Sequence, residues 1–387
     1  MARPTHCTNP ACRYLIGPRS GWKVRDGWYH SHCGGAIQRY RCRGCGTRLS
    51  DQSESIHYFA KRRLDLNHIF LRLRGGSSLR DIARSQHCSC ATVSQALLRL
   101  GRQAMSAQIS LLCAAPGSRR VAFDALLSCV SSAHYPAHLH TLVDSDCELI
   151  LAITHSITYR GARHTDTQRR RIAARKRTFS LPKGGLRDAV GLLVHELSGF
   201  TVSGQPLTID TDRHPLYPRL LASDLALSHF SLYSPVIHRR TASTAPRTTE
   251  NPLFPVNLVD RLIRHRLKEH TRETIAIARN ATMQMHRLWI FAYDHNFCQP
   301  HRVASPSPLT RAHRYGVPDS KITAMRRCFF HRRIDLARLP VPESMRLVWT
   351  GQLLTPPLRW KTRQINFGPR MAQYTLRDLA RAHLHAP

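Results

Sequence analysis

The stretch Ile209-Asp210-Thr211-Asp212-Arg213-His214-Pro215-Leu216-Tyr217 decides how the rest of the chain is read. Leu207 to Thr211 is a short, β-branched run with the character of a strand, and Leu216 to Leu227 has helical spacing. The phrase therefore sets a carboxylate, Asp212, at the exit of a predicted strand. The chain carries 58 Lys and Arg against 24 Asp and Glu, so an acid at that point needs a chemical reason. Carboxylates are the hard oxygen ligands that divalent cations prefer, and strand exits are where such ligands collect.

Working outward, Val121 to Ala125, His138 to Val143 and Glu148 to Ile157 read as three strands. Gly185 to Leu197 is helical, Leu207 to Thr211 is a fourth strand, and Leu216 to Leu227 is a helix. Phe230 to His238 follows as a strand and Leu258 to Tyr293 as one or two helices. Strands first, then alternating helices and strands, predict an α/β sheet that is partly parallel. Arg240 to Pro252, rich in Thr, Ser and Pro, is a loop. Beyond Pro300 the apolar segments are short and scattered among prolines, which suggests a small irregular basic appendage. The organisation expected is 1–52, 56–108, 118–300 and 301–387.

A net charge of +34 makes a polyanion the expected partner, because clustered cations gain affinity by releasing counterions condensed on phosphates. Most of these cations are Arg, whose planar fork grips phosphate in a bidentate way. No run of about 18 apolar residues occurs, and the first residues lack the apolar core of a signal peptide, so a cytoplasmic, nucleoid-associated protein without a membrane partner is expected. Twelve cysteines in a reducing compartment argue for metal ligands and buried thiols rather than disulfides.

Five of those cysteines precede Ser50. Cys7-x4-Cys12 and Cys42-x2-Cys45 form two knuckles about thirty residues apart, a spacing suited to a tetrahedral structural zinc site. Gly44 and Gly46 let the second knuckle curl around its sulfurs. His30, His32 and Cys33 are alternative ligands. The module's Arg41 and Arg43 are candidates for phosphate contact, with Arg39 and Arg48 beside them.

From about 56 to 106 the pattern becomes three short helices. Ser78 and Ser89 are N-caps of the second and third. In Cys90 to Leu100, Val93, Ala96, Leu97 and Leu100 point inward, leaving Ala91, Thr92, Ser94, Gln95 and Arg99 for a major groove. A plain trihelical bundle is the bland alternative.

Three acids fall at comparable points of the α/β region. Asp124 follows Val121-Ala122-Phe123 in the first strand, Asp212 follows the fourth, and Asp260 lies in the helix after the fifth. Phosphodiester chemistry with two cations about 3.5 to 4 Å apart needs such convergence. Asp210 is the alternative to Asp212; Glu273, and less so Glu250 or Glu269, are alternatives to Asp260, which at i+4 from Arg264 has an ion-pairing alternative of its own. His265, His270 and Arg272 lie near the same helix. Arg160 to Arg163 and Arg169 to Arg177 form a basic run, and Trp289, Phe291 and Tyr293 are core candidates.

The order of a Cys-pair ribbon ending in Tyr40-Arg41-Cys42-Arg43-Gly44-Cys45-Gly46, a helix-turn-helix, and an acidic α/β core closing with Asn251, Asn257, Asp260 and Arg264 resembles bacterial insertion-sequence transposases over roughly residues 1 to 300. The resemblance implies an RNase H-like mixed sheet behind a zinc ribbon and an all-α helix-turn-helix. It implies DNA-binding modules that grip terminal inverted repeats, and Mg²⁺ or Mn²⁺ held by an Asp-Asp-Asp/Glu triad. Carried over by position, Asp124 and Asp212 match the first two acids and Asp260 the helix acid, if this branch uses Asp where many use Glu. The partner expected is double-stranded DNA, at terminal repeats and target, with a homo-oligomer assembled on it. A non-catalytic DNA-binding regulator or domesticated derivative, and a structure-selective nuclease, are the alternatives.

Overall fold

The computed structural model describes residues 3–9, 11–32, 34–113, 115–161, 165–202, 204–271, 276–302, 307–334 and 339–357. Its first residues build a small antiparallel sheet in the order β1 (Lys23–Ser31), β2 (Gly35–Cys42), β3 (Arg48–Ser50). Tyr40 and Cys42 of β2 turn inward with Cys7, Cys12, Trp22 and Leu49 as a separate small core.

Three helices follow: α1 (Leu66–Arg74), α2 (Leu79–Ser85) and α3 (Cys90–Leu112). Ser78 and Ser89 cap α2 and α3 as their side chains suggest, Ser78 in a reciprocal capping box with Asp81. The third helix runs past its expected end near residue 106, because Ala104 to Leu112 continues an apolar face that the main core covers. Gly101 permits the closest approach: a Cβ there would lie 2.3 Å from Nδ1 of His286.

The second sheet has five strands in the order β6-β5-β4-β7-β8. They are β4 (Arg120–Val130), β5 (Ser132–Asp144), β6 (Ile150–Ile157), β7 (Leu207–Asp212) and β8 (Val236–Thr241). β5 runs against both neighbours, whereas β7 is parallel to β4 and to β8. Four strands therefore point the same way and β5 alone opposes them, the mixed, partly parallel sheet the sequence predicts.

Between the strands lie α4 (Asp166–Thr178), α5 (Gly185–Leu197), α6 (Leu216–Ser223) and α7 (Leu225–Ser231); after β8 come α8 (Phe254–Arg266) and α9 (Ala281–Tyr293). Several expected boundaries move. The basic run at 169–177 is itself helical. Asp224 is extended, so it ends α6 and caps α7 through the Leu227 N–H, dividing one expected helix into two. Phe230 belongs to α7, and β8 begins only at Val236. The stretch 258–293 is two helices, separated by a tight turn at Lys268–His270.

The expectation of an irregular tail is corrected most. The described residues between 307 and 357 include α10 (Arg311–Arg314), α11 (Asp319–Cys328) and α12 (Glu343–Trp349). Ile322, Phe329, Met345, Val348 and Trp349 join the core that holds α1, α3, β4, β5 and α9. The ring of Phe329 stacks on Tyr293 with centroids 3.7 Å apart. Each tail helix presents only a few apolar residues, so its periodicity is too short to show in sequence, yet α11 packs on α3 and α12 on α5, α9 and β6. Phe329→Ala is therefore expected to destabilise the protein by about 3 to 5 kcal/mol, measured by urea unfolding. A change below about 1 kcal/mol would mean this segment is an appendage after all.

Buried histidines give the core a pH dependence. His140 and His270 share hydrogen bonds with Ser156 and Ser128, at 3.2 and 2.9 Å, and burial with neighbouring positive charge holds both down to about 3. Because both are lowered, their contribution to stability is complete above about pH 6.5 and is lost as pH falls toward 3. Urea unfolding at pH 5 is expected to fall short of that at pH 7 by about 1 to 2 kcal/mol per histidine, with His270→Asn flattening the trend. A midpoint independent of pH over that range, in both proteins, counts against it.

Candidate functional site

The site begins with the pairing of β4 and β7. Ala122 lies level with Asp210 in this parallel pair. Successive side chains alternate between faces, so Asp124 and Asp212, each two residues further on, project from one face at one level. Asp124 is half-buried and accepts the Ala125 N–H at 2.7 Å. Burial raises it to about 6, and the charge of Asp212 adds to the effect. Asp212 ends its strand; it accepts the His214 N–H at 2.8 Å, and His214 Nδ1 in turn accepts from the Leu216 N–H at 3.2 Å. This short chain of bonds seats α6 at the strand exit.

Tyr217 of α6 packs edge-on against Phe123 with centroids 5.0 Å apart. Burial, then the charges of Asp124 and Asp212, pushes its phenol up.

Asp210 answers differently. It is fully buried, and its carboxylate is clamped by Arg120 Nε at 2.8 Å and by Arg239 through Nε at 2.8 Å and Nη2 at 2.9 Å. All its charge is used by side chains from the two flanking strands. Asp212 is thus the carboxylate of the opening phrase that remains available.

α8 packs on β4 and β5 and brings Asp260 toward the same place. Asp260 Oδ1 is shut off from solvent, with no hydrogen-bond partner among the described residues. Its carboxyl is pushed well above the usual range by burial and by Asp124, opposed by Arg264 and Arg247. Arg264 also donates to the carbonyls of His270 and Leu127. Arg247, from the loop after β8, acts on Asp124 as well as Asp260, a role its place in a Thr/Ser/Pro-rich loop did not signal. Among the alternatives for the helix acid, Glu269 is buried against Arg287 at 2.9 Å and Glu250 is exposed; Glu273 lies outside the described residues, as does Arg272. His270 is committed to Ser128, and Trp289, Phe291 and Tyr293 are core.

The second cluster is made of sulfur. Cys7, Cys12, Cys42 and Cys45 have all four Sγ atoms within 4.8 Å of one another, and the group could hold a metal such as zinc. The N–H groups of Asn9, Tyr14 and Gly44 donate to Cys7, Cys12 and Cys42 at 3.4, 3.4 and 3.3 Å, each two residues after its cysteine. Such bonds stabilise sulfur charge. Gly44 has no room for a side chain, since a Cβ would meet the Tyr14 ring at 2.8 Å, and Gly46 has φ +73°. Burial pushes Cys7 and Cys12 up, whereas at Cys45 burial is outweighed by hydrogen bonds with Thr47, which hold it down at about 6. His30 sits at the far end of β1 and His32 in the turn just after it, neither in the cysteine cluster, and Cys33 lies outside the described residues. Among the described residues the three carboxylates do not close to the 4.8 Å that the sulfurs reach.

On the helical modules, Ala91 and Gln95 are exposed at the start of α3, Thr92 and Ser94 half-exposed, while Val93, Ala96, Leu97 and Leu100 are buried as expected. Arg99 departs from its expected place. Its Nη1 donates to the carbonyls of Ile56 and Tyr58 at 2.9 and 2.7 Å, so it ties down the chain entering α1 rather than facing outward. Arg41 and Arg43 are exposed. No described helix is long and apolar enough to cross a membrane. The chain matches no protein-family model and no curated protein.

Proposed function

We propose that this protein is a DNA transposase with an RNase H-like core, which binds the terminal repeats of its own element and cleaves and joins DNA strands. The observation that carries this reading is the level pairing of Asp124 and Asp212 on adjacent parallel strands, with Asp260 delivered by α8 while Asp210 is neutralised by two arginines. Buried acids brought toward one another repel, and a bound cation would offset that repulsion. The mixed order of the sheet and the acid at the carboxyl end of β7 support the same reading.

The donor set fits a hard divalent ion: all three groups are carboxylates, and the unpartnered Oδ1 of Asp260 is a buried acceptor without a donor. Asp124, Asp212 and Asp260 would hold Mg²⁺ or Mn²⁺, which when bound supplies activation of the attacking oxygen and stabilisation of the leaving one. The protein's own groups do the rest. The His214 N–H orients Asp212, Tyr217 and Phe123 wall the site against water, and Arg247 and Arg264 place positive charge where a phosphodiester enters. Duplex DNA is gripped by the zinc ribbon through Arg41 and Arg43 and by Ala91, Thr92, Ser94 and Gln95 of α3, with two or more copies assembling on the ends.

The test is strand cleavage and joining on duplexes carrying the element's ends, by wild type and by Asp212→Asn. Equal activity in both proteins, or none in either, overturns the enzyme reading. Tight end binding without cutting would instead describe a DNA-binding regulator, and cutting that ignores terminal sequence a structure-selective nuclease.

A further inference from the structure

The helix α4 carries six cations, Arg169, Arg170, Arg171, Arg175, Lys176 and Arg177, against one acid, Asp166. That acid pairs with Arg169 at 3.0 Å. Arg170, Arg171, Lys176 and Arg177 are exposed, and among the helix's described side chains only Ile172 is buried. Like charges at this spacing oppose helix formation, by about 0.2 to 0.5 kcal/mol per pair. The helix is nonetheless pinned in place. Arg175 lies over the Tyr135 ring at 5.4 Å and Lys176 over Tyr159 at 4.9 Å. The Tyr159 hydroxyl donates to the Phe179 carbonyl at 2.8 Å and accepts from the Leu181 N–H at 3.0 Å, clasping the helix's exit.

Its location gives the charge a use. β6, which leads into α4, is parallel to β4, β7 and β8, because both β4 and β6 oppose β5. The chain leaves β6 at the same sheet edge where Asp212 ends β7. From β7 to β6 is three interstrand steps, about 14 Å, less than half of the ~34 Å turn of a DNA duplex.

We propose that α4 is a second DNA-binding surface, gripping the phosphate backbone of the duplex that passes over the carboxylate site, separate from the zinc ribbon and α3. The proposal rests on the nucleic-acid reading given above. It assigns α4 no sequence preference, since its cations meet phosphates and not base edges.

The experiment is equilibrium binding of the full chain to a random-sequence duplex across a salt series, for wild type, Arg170→Gln, Arg171→Gln and the triple variant with Arg177→Gln added. Each lost phosphate contact lowers the slope of log affinity against log salt by about 0.9, so the triple variant is expected to lose 2 to 3 units of slope and about 100-fold in affinity near 0.1 M salt. The triple lysine variant should retain most of the slope, and where the glutamine triple fails to fold, the single variants decide. Unchanged slopes overturn the proposal, as does weakened binding to anionic lipid vesicles with duplex binding unaltered. Binding that depends on α4 in a wild type that never cuts DNA would uphold this surface and sink the catalytic reading instead.

Discussion

Asp212→Asn is expected to reduce strand cleavage by about 10³-fold or more while leaving fold and duplex binding intact. The reasoning is electrostatic: a carboxylate holding a catalytic cation supports several kcal/mol of transition-state charge, and about 4 kcal/mol corresponds to that factor. Asp212 contributes little to the fold through its side chain, because its one described side-chain hydrogen bond, from the His214 N–H, can be accepted by an Asn oxygen. Asp210→Asn should do the opposite. It strips the charge that Arg120 and Arg239 share, and although breaking a fully buried pair costs roughly 3 to 5 kcal/mol, both guanidiniums reach solvent, so about 2 kcal/mol is expected here. Thermal unfolding and cleavage, measured on both variants, should separate cleanly. If Asp210→Asn abolishes cleavage at unchanged stability and Asp212→Asn does not, the ligand has been misassigned.

Removal of a metal held at the four cysteines is expected to have the second large effect. The module's own core is six side chains, Cys7, Cys12, Trp22, Tyr40, Cys42 and Leu49, half of which are the ligands themselves or cysteine neighbours of one another. Such a core cannot offset the conformational entropy of about fifty residues. Metal binding, on the order of 10 kcal/mol or more for structural zinc sites, would supply the difference. Chelation, or Cys42→Ser, is expected to unfold the ribbon and weaken binding to terminal repeats, seen as lost protection of β1 to β3 in hydrogen exchange. The purified chain should carry one zinc per molecule. The remaining core, built from α1 through α12, should survive. Intact exchange protection and end binding after full metal removal would show the cysteines to be plain buried thiols.

Much of this was legible in the sequence, for identifiable reasons. The strands β4 to β7 show as runs of apolar and β-branched residues, and Ser78 and Ser89 announce their helices by capping chemistry that acts within four residues. The cysteine pairs are likewise local signals, since each knuckle is one turn long. What was illegible depended on partners distant in sequence. Asp210 and Asp212 share a face of one strand, so alternation cannot rank them. The choice fell to Arg120 and Arg239, delivered by the neighbouring strands. Arg99 sits on the outward side of a helical wheel, and only the loop at Ile56 and Tyr58 withdraws it from the surface.

The sequence by itself determined the charge, the cysteine knuckles, the caps and a mixed α/β pattern with one acid in its first strand and one after its fourth. Tertiary structure decided which of those acids stand free, that α8 brings Asp260 to Asp124, and that the tail through Trp349 belongs to the core. The physical reason is range. Periodicity and capping are properties of a few consecutive residues, whereas neutralising a carboxylate or filling a gap takes side chains that only folding brings together.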